Sequence, residues 1–437
     1  MKMLLAVLAC RILTFICKII GKGSDFPGRT VLKFFPNILS SINFRGKVIS
    51  VTGSNGKTTT SNLIAHILKQ NGYSVINNVA GANIAGGLAT LLLNSCDLRG
   101  RNKYDFTILE TDERYVRFLT KYVCPDILLI NNLLRDQIVR NAYPEFVMNK
   151  INAGVRKEST LILNANDPIS QLIGEENNRV YFAMDKTSRS TDNSESGTHD
   201  CKVCPKCSMP MEYDYYHYNH IGKFHCTGCE YRSPEPSFLG SDVDFKNCTI
   251  NINGQTAKFS LNTTYYAFNT IAATAVCCTA GLELDKVVSA IESFNVSAQR
   301  FDCFKSDGRD ATIILTKQNS PSLEQSISYT IAQKGPKTVL LYINNILGSH
   351  YKDVSWLYDV AFERLLGNVD HIICAGTRAY DTAVCLKTMG FDESELKICG
   401  DLSKLPEAVK ATKGDIYVLA SYAFENENRI LEVLKGI

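Results

Sequence analysis

One stretch limits what this chain can fold into: Val48-Ile-Ser-Val-Thr52-Gly53-Ser54-Asn55-Gly56-Lys57-Thr58-Thr59-Thr60. The β-branched run Val48 to Val51 predicts a buried strand. A glycine turn follows. The next segment, Ser61 to Leu68, puts Leu63, Ile64, Ile67 and Leu68 on one helical face, and Asn71-Gly72 is a helix stop. Strand, glycine turn and helix together make a phosphate cradle, because loop N–H groups and the positive end of the helix converge on an anion. The pattern assigns nucleotide contacts to Gly53, Asn55, Gly56, Lys57, Thr58 and Thr59. Lys57 would reach the β/γ-phosphates, and the Thr58 hydroxyl would ligate Mg²⁺. Val51 stands where the general pattern has its first glycine, so Gly53-x-x-Gly56-Lys57-Thr58 is a shortened variant. The competing reading is an ordinary strand-to-helix turn with a solvated lysine.

The 437 residues suggest two or three domains. With 45% hydrophobic and 21% charged residues the chain can bury a large core, and a formal charge of +3 gives no reason to expect nucleic acid. Most of the 16 cysteines lie inside apolar runs (Cys96, Cys124, Cys277, Cys278, Cys374), which predicts reduced thiols in a cytoplasmic protein. Residues 1–22 are apolar but interrupted by Arg11. That argues against a signal peptide or a membrane span. Arg11, Lys18 and Lys22 share one face of a helical wheel, so the segment reads as an amphipathic helix with a basic stripe. Two placements stay open for it: peripheral contact with the inner face of the membrane, or packing on the protein.

Strands alternate with helices up to about residue 185, which predicts a doubly wound parallel sheet. Tyr104 to Glu113 ends in a carboxylate cluster, placed where α/β proteins bind ligands. Pro125–Ile130 and Thr160–Asn164 are further strands. The polar run 186–200 leads into an insertion (201–232) holding two Cys-x-x-Cys pairs with eighteen residues between them. That spacing fits a Cys₄ zinc ribbon. Strands return at 248–253 and 255–261, followed by a helix from Tyr265. From about 300 the alternation restarts, with strands at 311–315, 338–343, 371–375 and 415–420. The expected organisation is a helical segment (1–40), a central ATP-binding domain (41–299) and a C-terminal Rossmann-like α/β domain (300–437).

Several segments together resemble the MurT-type branch of the Mur ligase family, the ATP-binding subunit of lipid II isoglutaminyl synthase. They are the shortened P-loop, Arg135-Asp136-Gln137, the turn Asn164-Ala-Asn166-Asp167-Pro168 and Cys204-Pro-Lys-Cys207 with Tyr213 to Gly222. Further along come Asp353-Val-Ser355-Trp356-Leu-Tyr358-Asp359 and Gly376-Thr377-Arg378-Ala379. The resemblance runs from about residue 20 to about residue 385, and it implies a Mur-ligase-like fold. It also implies that Glu110 helps hold Mg²⁺, Asn269 touches adenine and Arg300 closes on the nucleotide. Asp353 would be catalytic near a partner interface. Cys204, Cys207, Cys226 and Cys229 would bind zinc, in preference to a set starting at Cys201/Cys204. His217, His220 and His225 then become packing or surface residues. The chain departs from the family pattern at Thr263–Tyr266 and at Gln318–Glu324.

The implied activity is ATP-dependent amidation, through an acyl phosphate, of the D-glutamate α-carboxyl in the lipid II stem peptide. ATP, Mg²⁺ and Zn²⁺ are the implied cofactors. No glutaminase signature accompanies the seven histidines. Ammonia would therefore come from a GatD-type glutaminase subunit, docked near Asp353 and Trp356 in a heterodimer. Two other readings are a Mur- or folylpolyglutamate-type ligase with another acceptor and a catalytically degenerate scaffold subunit.

Overall fold

The computed structural model describes residues 1–21, 24–78, 82–136, 143–294, 301–345, 353–421 and 427–437. Gln137 and Arg300 lie outside them. The chain forms two compact units. The first comprises 1–134, 143–192 and 201–295; the second comprises 135–142, 193–200 and 296–437. The N-terminal helices belong to the first unit. Two short segments, 135–142 and 193–200, leave the first unit and join the second.

In chain order the first unit begins with α1 (Lys2–Ile19), α2 (Asp25–Phe34), β1 (Asn43–Phe44), β2 (Lys47–Thr52), α3 (Lys57–Gln70) and β3 (Val75–Asn77). Then come α4 (Ala85–Ser95), β4 (Arg101–Asn102), β5 (Phe106–Glu110), α5 (Val116–Tyr122), β6 (Ile127–Ile130) and α6 (Pro144–Asn152). β7 (Thr160–Asn164) and β8 (Arg179–Met184) precede the insertion, which contains the hairpin β9 (Met211–Tyr218) and β10 (Ile221–Cys226). The unit ends with β11 (Phe238–Asp244), β12 (Thr249–Ile252), β13 (Gln255–Lys258), α7 (Thr264–Thr279) and α8 (Leu284–Ile291).

Its main sheet has nine strands, in the order β13-β12-β11-β8-β7-β6-β2-β5-β3. Pairings from β3 through β11 are parallel, and β12 and β13 extend that edge as an antiparallel meander. All of β6 is buried, as is β2 after Lys47. Near-continuous apolar runs of this kind suit strands covered on both faces. Side-chain alternation divides them: Ile49, Val51 and Ile108 pack with Leu63, Ile64 and Ile67 of α3 and Ala272 and Val276 of α7. Val48 and Leu109 face the other way, onto Leu88, Leu92 and Leu93 of α4 and Val7 of α1.

The second unit contains β14 (Phe301–Ser306), β15 (Arg309–Thr316), α9 (Ser320–Ile331), β16 (Lys337–Tyr342), β17 (His371–Ala375) and α10 (Ala379–Thr388). It closes with β18 (Leu396–Cys399), α11 (Leu405–Lys410), β19 (Asp415–Ser421) and α12 (Glu427–Lys435). The six-stranded sheet runs β14-β15-β19-β16-β17-β18. It is parallel except for the β14–β15 hairpin. Strands beyond the expected set include β8, the insertion hairpin β9–β10, β11, β14 and β18. β14 and β18 are edge strands. β11 has a glycine and two aspartates in seven residues and so lacks an apolar run.

α2 and α4 approach closely at Gly28. A Cβ there would lie 2.1 Å from Gly86 O, and the Gly28 N–H donates to Thr90 Oγ1 at 2.7 Å. Both neighbours belong to a helix that is itself fixed in the core, so an added methyl has nowhere to go. Gly28→Ala is expected to cost about 1–3 kcal/mol by overpacking. A denaturant midpoint unchanged from the parent would contradict this.

Candidate functional site

β2 delivers the chain to Gly53 (φ +127°), and α3 starts at Lys57 immediately after Gly56 (φ +82°). Both angles lie where side chains are rarely accommodated. At Gly56 a Cβ would also meet Asn269 Oδ1 at 2.3 Å. The loop is pinned from the segment that follows β6. Asn132 accepts from Ser54 N–H through its carbonyl (2.8 Å) and from Asn55 N–H through its side chain (2.9 Å). The Ser54 hydroxyl donates to Leu134 O and accepts from Leu134 N–H, both at 2.9 Å. Asn131 Nδ2 donates to Thr60 Oγ1 in the first turn of α3 at 3.0 Å. The cradle is therefore rigid, with its shape set by backbone and amide hydrogen bonds.

Lys57 is 6% exposed. Its ammonium donates to Glu113 Oε1 at 2.8 Å and to the carbonyl of Gly53. Glu113 is the carboxylate of the 110–113 cluster that faces the lysine, a contact distinct from the Mg²⁺ role that the family resemblance implies for Glu110. Glu110 lies at the end of β5, in register with Val51. Its Oε1 accepts from Asn83 Nδ2 at 2.9 Å, and its Oε2 is buried with no hydrogen-bond partner among the described residues. The buried Thr52 Oγ1, at the mouth of the loop, is also unpartnered among them. An orphaned carboxylate oxygen and hydroxyl beside a phosphate cradle are a donor set that fits a hard, oxygen-seeking cation such as Mg²⁺.

The turn 164–167 links this region to the insertion. Asp167 is fully buried; it accepts from Leu133 N–H at 2.8 Å and lies 3.5 Å from the ring of His220. Asn164 Nδ2 donates to Asn131 O, and Asn166 O accepts from Gly222 N–H. His217 is buried between Met184 O (3.0 Å) and Ser190 Oγ (3.0 Å), and burial pulls its imidazole down to about 4. His225 is a half-exposed surface residue near Glu212 and Asp214.

Four thiols converge in the insertion. The sulfurs of Cys204, Cys207, Cys226 and Cys229 lie within 4.8 Å of one another. The N–H groups of Lys206 and Gly228 donate to Cys204 and Cys226 sulfur at 3.4 and 3.3 Å. Cys201 is outside the group; its thiol points to Val203 O. The donor set suits a soft, tetrahedral metal.

In the second unit Arg135 forms ion pairs with Asp200 (2.7 Å) and Asp359 (3.3 Å). Asp136 accepts from Asn319 Nδ2 at 2.8 Å and lies 3.5 Å from Lys317 Nζ. Asn319 also caps α9 by accepting from Ser322 N–H. Asp353 is exposed and holds Ser355 twice, through its N–H and its hydroxyl, each at 2.9 Å. Trp356 is buried. Nearby, Val354, Leu357, Tyr358, Tyr380, Asp381 and Val384 line an apolar cleft of about 200 Å³.

Sequence reasoning passed over Glu324. It is buried and accepts from the N–H groups of Gly197 (2.8 Å) and Ala361 (3.1 Å). Burial pushes its carboxyl up to about 7, against the lowering effect of those donors. Between about pH 4.5 and 7 the folded chain keeps a proton that the unfolded chain has released, so stability falls as pH rises through that window. Glu324→Gln keeps the acceptor without the charge. The parent is expected to lose on the order of 2 kcal/mol more than this variant between about pH 5 and 8. Parallel stability–pH curves for the two proteins would contradict this.

Comparison with known proteins places the chain. Residues 51–226 match the Mur ligase middle domain, and residues 316–424 match the MurT ligase C-terminal domain. The lipid II isoglutaminyl synthase (glutamine-hydrolyzing) subunit MurT of Staphylococcus aureus (strain COL) is 30% identical over 374 residues, covering 84% of each chain. The protein of that name from Streptococcus pneumoniae (strain ATCC BAA-255 / R6) is 27% identical over 99% of this chain and 97% of its own. Two solved structures share the fold. The pseudomurein peptide ligase type C from Methanothermus fervidus has a TM-score of 0.67 at 20% identity, covering 92% of this chain and 81% of its own. The MurF ligase from Thermotoga maritima, solved with ADP, has a TM-score of 0.62 at 18% identity, covering 93% and 84%. The chain belongs to the MurT family of Mur-type ligases.

Proposed function

We propose that this chain is the ATP-using subunit of a lipid II isoglutaminyl synthase. It amidates the α-carboxyl of D-glutamate in the lipid II stem peptide, with ammonia from a GatD-type glutaminase partner. The observation that carries the reading is the pinned cradle at Gly53–Thr59, with a buried lysine and an orphaned carboxylate oxygen on its rim, in a chain of the MurT family.

The carboxylate oxygen attacks the γ-phosphorus of ATP, and the bond to the ADP oxygen breaks. Ammonia then attacks the acyl phosphate carbonyl, phosphate leaves, and the nitrogen loses a proton. The N–H groups of Gly53 to Thr59 hold the β-phosphate, and Lys57 exchanges Glu113 for phosphate oxygens. Thr58 and Glu110 would hold Mg²⁺. When bound there, the ion would offset charge on the transferring phosphoryl group. Asn269, against Gly56, lines the nucleotide cleft. Asp353, beside the apolar cleft, orients ammonia or completes the partner's Cys–His pair. The two hydrogen bonds it accepts from Ser355 fix its direction.

The test is glutamine-dependent amidation of lipid II by the chain with its coexpressed glutaminase. Lys57→Ala is expected to lower nucleotide affinity at least 100-fold in calorimetry and to stop both glutamine- and ammonium-driven amidation. Asp353→Asn should bind nucleotide normally yet lose the glutamine-driven reaction. Nucleotide affinity retained in the first variant, or glutamine use retained in the second, would refute the corresponding role.

Cys204, Cys207, Cys226 and Cys229 would hold one zinc, which contributes folding free energy directly. The purified chain should carry one equivalent. Cys204→Ser or Cys229→Ser should lose it and melt earlier, whereas Cys201→Ser should keep it. A metal-free chain of normal stability would overturn the assignment.

A further inference from the structure

α1 faces the wrong way for a helix that only packs on its own domain. Its buried residues, Ala6, Val7, Cys10 and Cys17, are small or medium-sized, with Met3 partly buried against the same core. Its large residues point out. Ile12, Phe15 and Ile19 are 58%, 65% and 69% exposed, and Leu5, Leu8 and Ile16 continue the same face. These positions recur at helical spacing, so they form one stripe along all five turns. α2, packed against α1, also leaves Phe26 and Phe34 exposed. Contiguous apolar surface of this extent marks an interaction site.

The charges identify the occupant. Residues 1–24 contain no aspartate or glutamate. Lys2 and Lys18 are exposed beside the stripe, and Lys33 is exposed on α2. Arg11 is engaged within the fold, where its Nη2 donates to Cys96 O at 2.6 Å and ties α1 to the end of α4. A second copy of α1 laid on the first would bring lysine against lysine with no acid to pair them. A surface both apolar and negatively charged meets both features. Among the described residues no helix is long and apolar enough to cross a membrane, so α1 would lie in the interface and not span it.

We propose that α1 docks the protein on an anionic lipid surface, its Leu/Ile/Phe stripe buried among acyl chains and its lysines among phosphate headgroups. The ligase reading is not needed for this. Where that reading holds, a lipid-linked substrate is met at the surface that carries it.

The experiment is vesicle flotation of the purified full chain without ATP or any lipid-linked peptide. A failed ligase assignment therefore leaves the readout untouched. The chain should float with phosphatidylglycerol–phosphatidylcholine vesicles. Binding to pure phosphatidylcholine, or at high salt, should be at least tenfold weaker, as the electrostatic part is screened. The Ile12→Ser, Phe15→Ser, Ile19→Ser variant should stay in the lower fraction. All three residues are exposed, so its circular dichroism and melting should match the parent. Lys2→Glu with Lys18→Glu should abolish the preference for phosphatidylglycerol. A parent chain that floats with neither vesicle, or a triple serine variant that floats like the parent, overturns the proposal. So does a parent dimer in light scattering that the triple variant makes monomeric, because a second copy then covers the face.

Discussion

The buried ammonium of Lys57 is the constraint around which the first unit is arranged. A charge this deep is tolerated only with a partner, and losing a partner from a buried pair typically costs about 3–5 kcal/mol. Glu113 is that partner, 2.8 Å away and 4% exposed itself. Its position follows from the parallel β2–β5 register, which sets Val51 opposite Glu110 and places residues 111–113 over the loop. On the opposite side Asn131 and Asn132 leave β6 and bond the loop from beneath. The central pairs β5–β2–β6 thus supply the lysine, its counter-charge and the brace from three adjacent strand ends. This is also why the lysine can serve a phosphate: its present partner is a carboxylate, and exchanging one anion for another leaves no buried charge uncompensated.

The cradle itself was legible in the sequence because it combines a β-branched run, two glycines and an amphipathic helix within about twenty residues. The cysteine cluster was legible by spacing, and the choice of Cys204/Cys207 over Cys201/Cys204 came from the family resemblance. The partner of Lys57 was not legible, because four residues at a strand end, Glu110-Thr-Asp-Glu113, turn too sharply for sequence to say which one faces back to the lysine. The asparagine brace gives no periodic signal at all. Its function is amide hydrogen bonding to backbone, and Asn131-Asn132 looks like any polar strand exit. The same applies to Asp167 and His220, which connect the insertion to that brace. A single buried polar pair becomes visible only when two distant segments meet. Among strands, most of those with continuous apolar runs were expected, whereas β14 and β18 were not. β18 is four residues long, and β14 alternates lysine and aspartate with its apolar residues, so neither carries a core signature.

The second unit shows how charged side chains gather segments that are remote in sequence. Arg135 brings Asp200 and Asp359 together, Arg364 reaches Glu195, and Glu324 receives the N–H groups of Gly197 and Ala361. The departure from the family pattern at 318–324 therefore does not empty that region. Asn319 caps α9 and holds Asp136, and Gln318 bonds the carbonyl of Asn344. Polar contacts of this kind are replaceable one by one, so a motif can drift in sequence while its loop stays anchored. Lys317 remains directed at Asp136 through that drift.

α1 follows a different rule from the rest of the core. In α3 the large apolar residues Leu63, Ile64, Ile67 and Leu68 all turn inward, as burial of apolar area demands. In α1 the fully buried positions are alanine, valine and two cysteines, small enough for close packing on α4, while most of its leucine, isoleucine and phenylalanine face outward. Folding alone does not reward that order. Exchanging the two faces would bury more apolar area, and with it gain stability at roughly 25 cal/mol per Å². A helix that leaves this gain unrealised is built for what lies outside the fold, and its all-positive flanks restrict what that can be.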